Sequence, residues 1–207
     1  MNEWGFGGGF DALPPTEGGE QFDIELVGPH LRVGGRISLG RFSRLSDRVN
    51  HGNGYLRLSD ARLLKRNGEP TSLVVPELWV NPDEVTFLAI TRTPDVTPVP
   101  GALRSPEYIA KQIRRFLVFT PGHVITGLVH VFPGMSVAGI VEGQDPRFLP
   151  LTNVSARSLA DRRVISRFDL LLVNRTQMTA ASITDEPLTS ASGEPGGVEV
   201  EAPIVES

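Results

Sequence analysis

Leu78-Trp-Val-Asn-Pro-Asp-Glu-Val85 and, 93 residues on, Leu171-Leu-Val-Asn-Arg-Thr-Gln-Met178 are the two stretches that decide how this chain is read. Each places three apolar residues before an asparagine, three polar or turn-forming residues after it, and an apolar residue at the end. Asn81-Pro82-Asp83 is a strong turn signal between two apolar runs, because proline presets φ and asparagine and aspartate bond back to their own backbone. The same offset lays Tyr55-Leu-Arg-Leu-Ser-Asp-Ala61 on Phe148-Leu-Pro-Leu-Thr-Asn-Val154. An offset of 92 lays Gly35-Arg-Ile-Ser-Leu39 on Gly127-Leu-Val-His-Val131. Two offsets that differ by one residue and hold over some fifty positions read as an internal duplication.

Within the first copy the apolar residues mark short strands. Leu31, Val33, Ile37 and Leu39 share parity across the Gly34-Gly35 pair, where glycine inside a strand predicts a bulge or sharp bend. Leu56 and Leu58 alternate, and Leu78–Val80 and Val85–Ile90 flank the turn. Phe42, Leu45 and Val49, spaced three and four apart, predict a short helical turn over 41–50, with 133–142 as its counterpart. Ser105-Pro106-Glu107 has the N-cap, N1 and first-turn residues of a helix, expected to run through Tyr-Ile-Ala-Lys-Gln-Ile-Arg-Arg115.

This layout resembles the Sm-like fold, a small five-stranded bent barrel. The features that carry the resemblance are the early apolar–Gly–apolar strand, the strands ending at Asp60-Ala61 and Asn153-Val154, and the paired-strand turns at Val80–Val85 and Val173–Met178. The repeat is also similar to an uncharacterised bacterial domain, which implies no activity. The resemblance implies a mainly β protein of two tandem five-stranded barrel-like (Sm-like or SH3-like) units. Its expected divisions are an acidic arm at 1–21, a first unit at 22–91, a Pro-rich linker and short helix at 92–114, a second unit at 115–183 and an acidic tail at 184–207.

Charge separates the same segments. Residues 1–21 hold four acids and no base, and 184–207 hold six acids and no base. The whole chain has 20 bases and 24 acids, so the middle has 20 bases against 14 acids, a net +6 within a chain of net −4. Both tails lack the apolar content to offset the entropy of ordering and are expected to be disordered. Three large aromatics, Trp4, Phe6 and Phe10, sit in the first ten residues and form a candidate partner-docking segment. Nine of the bases fall between 30 and 66 against only Asp47 and Asp60. Arg32 and Arg36 share strand parity and Arg41, Arg44 and Arg48 share a helical face, giving a candidate anion or nucleic-acid contact.

Several chemistries find no support. Cysteine is absent, which excludes disulfides, thiolate metal ligands and a cysteine nucleophile. The four histidines stand apart from any carboxylate cluster, and His123 and His130 fall on opposite faces of one strand. The sequence has no strand–Gly-x-Ser-x-Gly–helix pattern, and Gly5–Gly9 has no strand before it. No catalytic residue, metal or cofactor is expected. The N-terminus has no basic start leading into an apolar run, and no segment is long and apolar enough to span a membrane. The expectation is a cytoplasmic, non-enzymatic interaction, scaffold or adaptor protein that binds a protein partner or itself and does not insert into membranes. The second half, with Phe116–Phe119, Val124-Ile125 and Leu128–Phe132, is the more apolar and the expected partner-facing or self-associating part. The alternative is RNA binding through the basic first unit.

Overall fold

A computed structural model describes residues 20–52, 54–92, 111–143, 146–160 and 165–184. Ten strands form one open antiparallel sheet. In chain order they are β1 (Gln21–Val27), β2 (Arg32–Ser38), β3 (Leu56–Leu64), β4 (Pro70–Val80), β5 (Phe87–Arg92), β6 (Gln112–Phe119), β7 (His123–Val131), β8 (Phe148–Ser158), β9 (Ile165–Asn174) and β10 (Ala180–Thr184). Two short helices, α1 (Leu45–His51) and α2 (Val137–Val141), join β2 to β3 and β7 to β8. Single 3-10 turns at Pro82–Glu84 and Arg175–Gln177 precede β5 and β10.

The strand order is β10-β6-β7-β8-β9-β5-β1-β2-β3-β4. The first five strands therefore lie in the order β5-β1-β2-β3-β4 and the last five in the order β10-β6-β7-β8-β9, one permutation occurring twice. The halves meet where β5 pairs antiparallel with β9, in the register Phe87↔Val173, Leu88↔Leu172 and Ala89↔Leu171. The expectation of two separate barrels is corrected here. Neither half closes on itself, because the strand that would close it pairs across the junction or ends the sheet, leaving one continuous sheet with β4 and β10 as its edges.

Sharp bends lie where the sequence places glycine. The β2–β3 register slips between Gly34 and Arg36, and the β7–β8 register slips between Thr126 and Leu128. On the partner strands Asp60 and Asn153 have φ of 49° and 50°, a left-handed conformation uncommon outside glycine. Gly127 cannot be replaced without displacement, since a Cβ there would lie 3.0 Å from Val154 Cγ2 and 3.2 Å from Leu151 Cβ. Each bulge bends its strands and strengthens their twist, so each half of the sheet curls over its own apolar residues.

Two cores result. One gathers Ile24, Leu26, Val33, Ile37, Leu56, Leu58 and Leu88 with α1's Leu45 and Val49, and it also takes Phe148 and Leu172 from the other half. The second gathers Phe116, Val118, Ile125, Leu151, Leu171 and Val173 with α2's Ile140, and it takes Val27, Phe87 and Ala89 from the first half. Successive residues of a strand face opposite sides. Phe87 and Ala89 therefore serve the second core and Leu88 the first, so the cores lie on opposite faces of the sheet at the junction. Both faces being covered explains why Phe87–Ala89 and Leu171–Val173 are uninterrupted apolar runs.

The local expectations divide. The helical turn expected over 41–50 falls at α1, which begins only at Leu45, its counterpart holds α2, and both asparagine turns are present. The helix expected to run to residue 115 is corrected: Gln112–Phe119 is strand β6, and residues 105–110 lie outside the described residues. Gln21 and Thr184, assigned to the arm and tail, belong to β1 and β10. Glu20 is also described, its carbonyl accepting from Leu39 N at 3.0 Å, and residues 1–19 and 185–207 lie outside the described residues.

Candidate interaction site

The junction shows what completes an edge of this sheet. Asn174 is fully buried at the end of β9. Its Oδ1 accepts from Thr176 N at 3.1 Å and Thr176 Oγ1 at 2.9 Å, which shapes the following turn. Its Nδ2 donates across the junction to Pro82 O at 3.1 Å and Val85 O at 2.8 Å. The Asn174 N–H donates to Thr86 O at 2.9 Å, and Gln177 Nε2 donates to Asp83 O at 2.9 Å. Arg147 forms an ion pair with Asp83, and Asn50 of α1 clasps the backbone of Phe148, donating to its carbonyl at 3.0 Å and accepting from its N–H at 2.7 Å. His123 stacks edge-on against Phe87, with ring centroids 5.1 Å apart. Burial first, and then the charge of Arg32, hold its imidazole below the ordinary histidine pKa.

The free edge formed by β4 lacks these partners. Trp79 is 59% exposed, Leu73 and Val74 are more than half exposed, and Tyr55 at the start of β3 is 54% exposed. Asn81 Oδ1 accepts from Asp83 N at 3.1 Å, forming the same turn, but its Nδ2 has no hydrogen-bond partner among the described residues. An exposed apolar edge strand is a template for another strand unless something blunts it. Here Pro70, Pro76 and Glu77 blunt the first part of β4, while Leu78–Val80 remains open. The other edge, β10, carries the small residues Ala180, Ala181 and Ser182.

The arginines predicted to form an anion contact differ in their surroundings. Arg32 bonds the buried Glu25 carboxylate at 2.8 Å and donates to Arg66 O. Arg36 pairs with Asp60. Arg41 sits over the Phe42 ring, 5.2 Å from its centroid. Arg44 is the N-cap residue of α1 in an extended conformation, so Arg41 and Arg44 lie before the helix and only Arg48 is in it; the shared helical face is corrected accordingly. Arg48 is half-buried, and desolvation lowers its pKa. Trp4, Phe6 and Phe10 lie outside the described residues.

A shallow groove of about 540 Å³ crosses the outer face of the first half above Gly34 and Gly35, bordered by Asp23, Glu25, Arg36, Asp60 and Arg62. It carries both signs of charge. A smaller hollow of about 70 Å³ lies over Gly127 and Asn153 in the second half. Among the described residues no three histidine or carboxylate side chains are grouped to hold a metal ion, and no helix is long and apolar enough to cross a membrane.

The apolar residues of the second half expected to face a partner divide: Phe116, Val118, Ile125, Val129 and Val131 are buried, while Phe119 and Phe132 are exposed. Sequence reasoning missed Trp79, Asn81 and Tyr55. The available signal was Trp79 and Tyr55 aligning with Leu172 and Phe148, but nothing in the sequence says that one member of each pair is covered. No protein-family model, curated protein or solved structure matches this chain.

Proposed function

We propose that this chain is a non-enzymatic interaction or scaffold protein, made by duplication of one five-stranded β element of the Sm-like kind, and that it binds protein through its open sheet edges. Duplication is supported by the recurring strand permutation, by the left-handed Asp60 and Asn153 at an offset of 93, and by the equivalent turns capped by Asn81 and Asn174. The observation that carries the functional reading is Trp79, 59% exposed on an edge strand whose counterpart, Leu172 on β9, is fully buried by a neighbouring strand. Added strands gain affinity from backbone hydrogen bonds and specificity from side chains such as this one. The pairing of Arg32 and Arg36 with carboxylates weighs against a converging phosphate site.

The test is affinity capture by the full chain and by Trp79→Lys, with and without nuclease. The reading expects a nuclease-resistant protein complex that Trp79→Lys abolishes, with slowed amide exchange over residues 73–80 in the complex. Captured material that disappears with nuclease and ignores Trp79→Lys refutes it in favour of RNA binding.

A further inference from the structure

Resting on that reading, we infer that the occupant of the open β4 edge is a second copy of this chain, which lays its β10 antiparallel on β4 in the register of the internal β5–β9 junction. Adding 93 to the β5 residues and subtracting 93 from the β9 residues converts the internal pairs into intermolecular ones. Phe87↔Val173 becomes Ala180↔Val80, Leu88↔Leu172 becomes Ala181↔Trp79, and Ala89↔Leu171 becomes Ser182↔Leu78.

Three independent features fit. The first is volume. Inside the chain two leucines oppose each other, whereas in the derived pair a tryptophan on β4 meets an alanine on β10. One side gains bulk where the other loses it, the kind of exchange that packed contacts tolerate. The second is the set of residues that cross the junction. Phe148 and Leu172 are the two buried residues of the second half in the first core, each 0% exposed, with Leu170, whose counterpart is Glu77, packed against its margin. Their counterparts, Tyr55 and Trp79, are 54% and 59% exposed. The receiving core is correspondingly less covered: Val85 is 2% exposed in the first half, and its counterpart Met178 is only partly buried in the second.

The third is the asparagine. The Asn174 amide bridges the junction by donating to Pro82 O and Val85 O. Asn81 occupies the same position in the first turn, and its Nδ2 is without a partner among the described residues. The offset supplies its acceptors in a second copy, Arg175 O and Met178 O. Pro76 does not obstruct the contact, because it lies beyond the three derived pairs.

One internal contact is not reproduced. The offset replaces Asp83 with Thr176 and Arg147 with Gly54, so the ion pair across the junction has no intermolecular equivalent. A pair this exposed contributes little, so its loss lowers the affinity only slightly. The association joins two different edges, so it is heterologous, and each added copy presents a fresh β4 edge; growth proceeds by identical steps to a ring or an open chain.

The chain contains no cysteine, so introduced thiols report without interference. Directly opposed residues of an antiparallel pair have their Cα atoms about 4.5–5.5 Å apart, within the range that a disulfide spans. Full-length Trp79→Cys and Ala181→Cys are mixed and mildly oxidised. The expected product is a disulfide dimer that forms in the mixture and in neither variant alone, with a ladder of higher species from the double variant. Because losing Trp79 weakens the contact under test, sedimentation of the unmodified chain is the second measurement. Its mean mass should rise with concentration, and Tyr55→Ser should weaken the association by about tenfold or more. Dimers of Trp79→Cys with itself, or an unmodified chain that stays monomeric at all concentrations, overturn the inference. A monomer that still captures another protein in a Trp79-dependent way leaves the edge-binding reading standing and rejects only the second copy; a monomer without such capture rejects both.

Discussion

Removing the Asn174 side chain tests whether the junction, rather than the turn it caps, holds the two halves together. Asn174→Ala deletes two bonds within the turn, from Thr176 N and Thr176 Oγ1, and two across the junction, to Pro82 O and Val85 O. Each bond contributes about 0.5–1.5 kcal/mol net, and a buried group left unpaired adds to the loss. Thr176 is exposed and can turn to water, whereas Val85 is buried, so the total is expected at about 2–4 kcal/mol. Asn81→Ala is the internal control: it removes an equivalent cap that, among the described residues, makes only the Asp83 N–H bond, and should cost about 0.5–1.5 kcal/mol. Urea unfolding of the full chain followed by circular dichroism, at a slope of about 2 kcal/mol per molar, places the two midpoints roughly 1 M apart. Asn174→Asp keeps the acceptor but turns a carboxylate oxygen toward two carbonyls, and should be at least as damaging as alanine. Equal midpoints for the Asn174→Ala and Asn81→Ala variants would show that the cross-junction bonds contribute nothing and refute the reasoning.

Phe87→Ala empties a site that is 2% exposed against His123 and Phe168, and should lower stability by about 3–5 kcal/mol in the same titration. Gly127→Ala forces a Cβ to 3.0 Å from Val154 and should cost about 1–3 kcal/mol, whereas Gly122→Ala, with open space around it, should shift the midpoint by less than about 0.5 kcal/mol. His123 is held below its ordinary pKa by burial and by Arg32, so the unfolded chain takes up its proton first as pH falls. Stability is then complete above the unfolded value of about 6.5 and declines as pH drops from there through the folded value. Unfolding midpoints measured between pH 7.5 and 5 should show this loss, and His123→Gln should remove that component of the slope.

The sequence was most informative where one residue type solves a local problem. Asn81 and Asn174 announce their turns because an asparagine side chain replaces a backbone partner, and the Gly34-Gly35 pair announces a bend because a Cβ at Gly35 would crowd Leu58 and Ser59 at 3.3 Å. Leu45 and Val49 gave α1 by spacing alone. Strand β6 was obscured because its first residues face solvent: Ile113 is 58% exposed and Gln112 and Arg115 are exposed, so no apolar alternation competes with the helix-start signal at Ser105. Closure was misread for a different reason. Whether β5 closes its own half or pairs with β9 depends on long-range register, and Phe87-Leu-Ala89 is apolar on both faces in either case. The pairings of Arg32 and Arg36 were not legible because their carboxylates come from adjoining strands, at Glu25 and Asp60, which composition does not reveal.

The exchange of residues between the two cores has a consequence for how the chain can be divided. With Phe148 and Leu172 inside the first core and Phe87 and Ala89 inside the second, either half produced alone would expose the apolar face of a central strand and leave a void where its neighbour's side chains belong. Strand pairing and the Asn174 bridge join the two halves. A chain severed between residues 92 and 111 should therefore behave as a split protein, two fragments insoluble apart and mutually templating together.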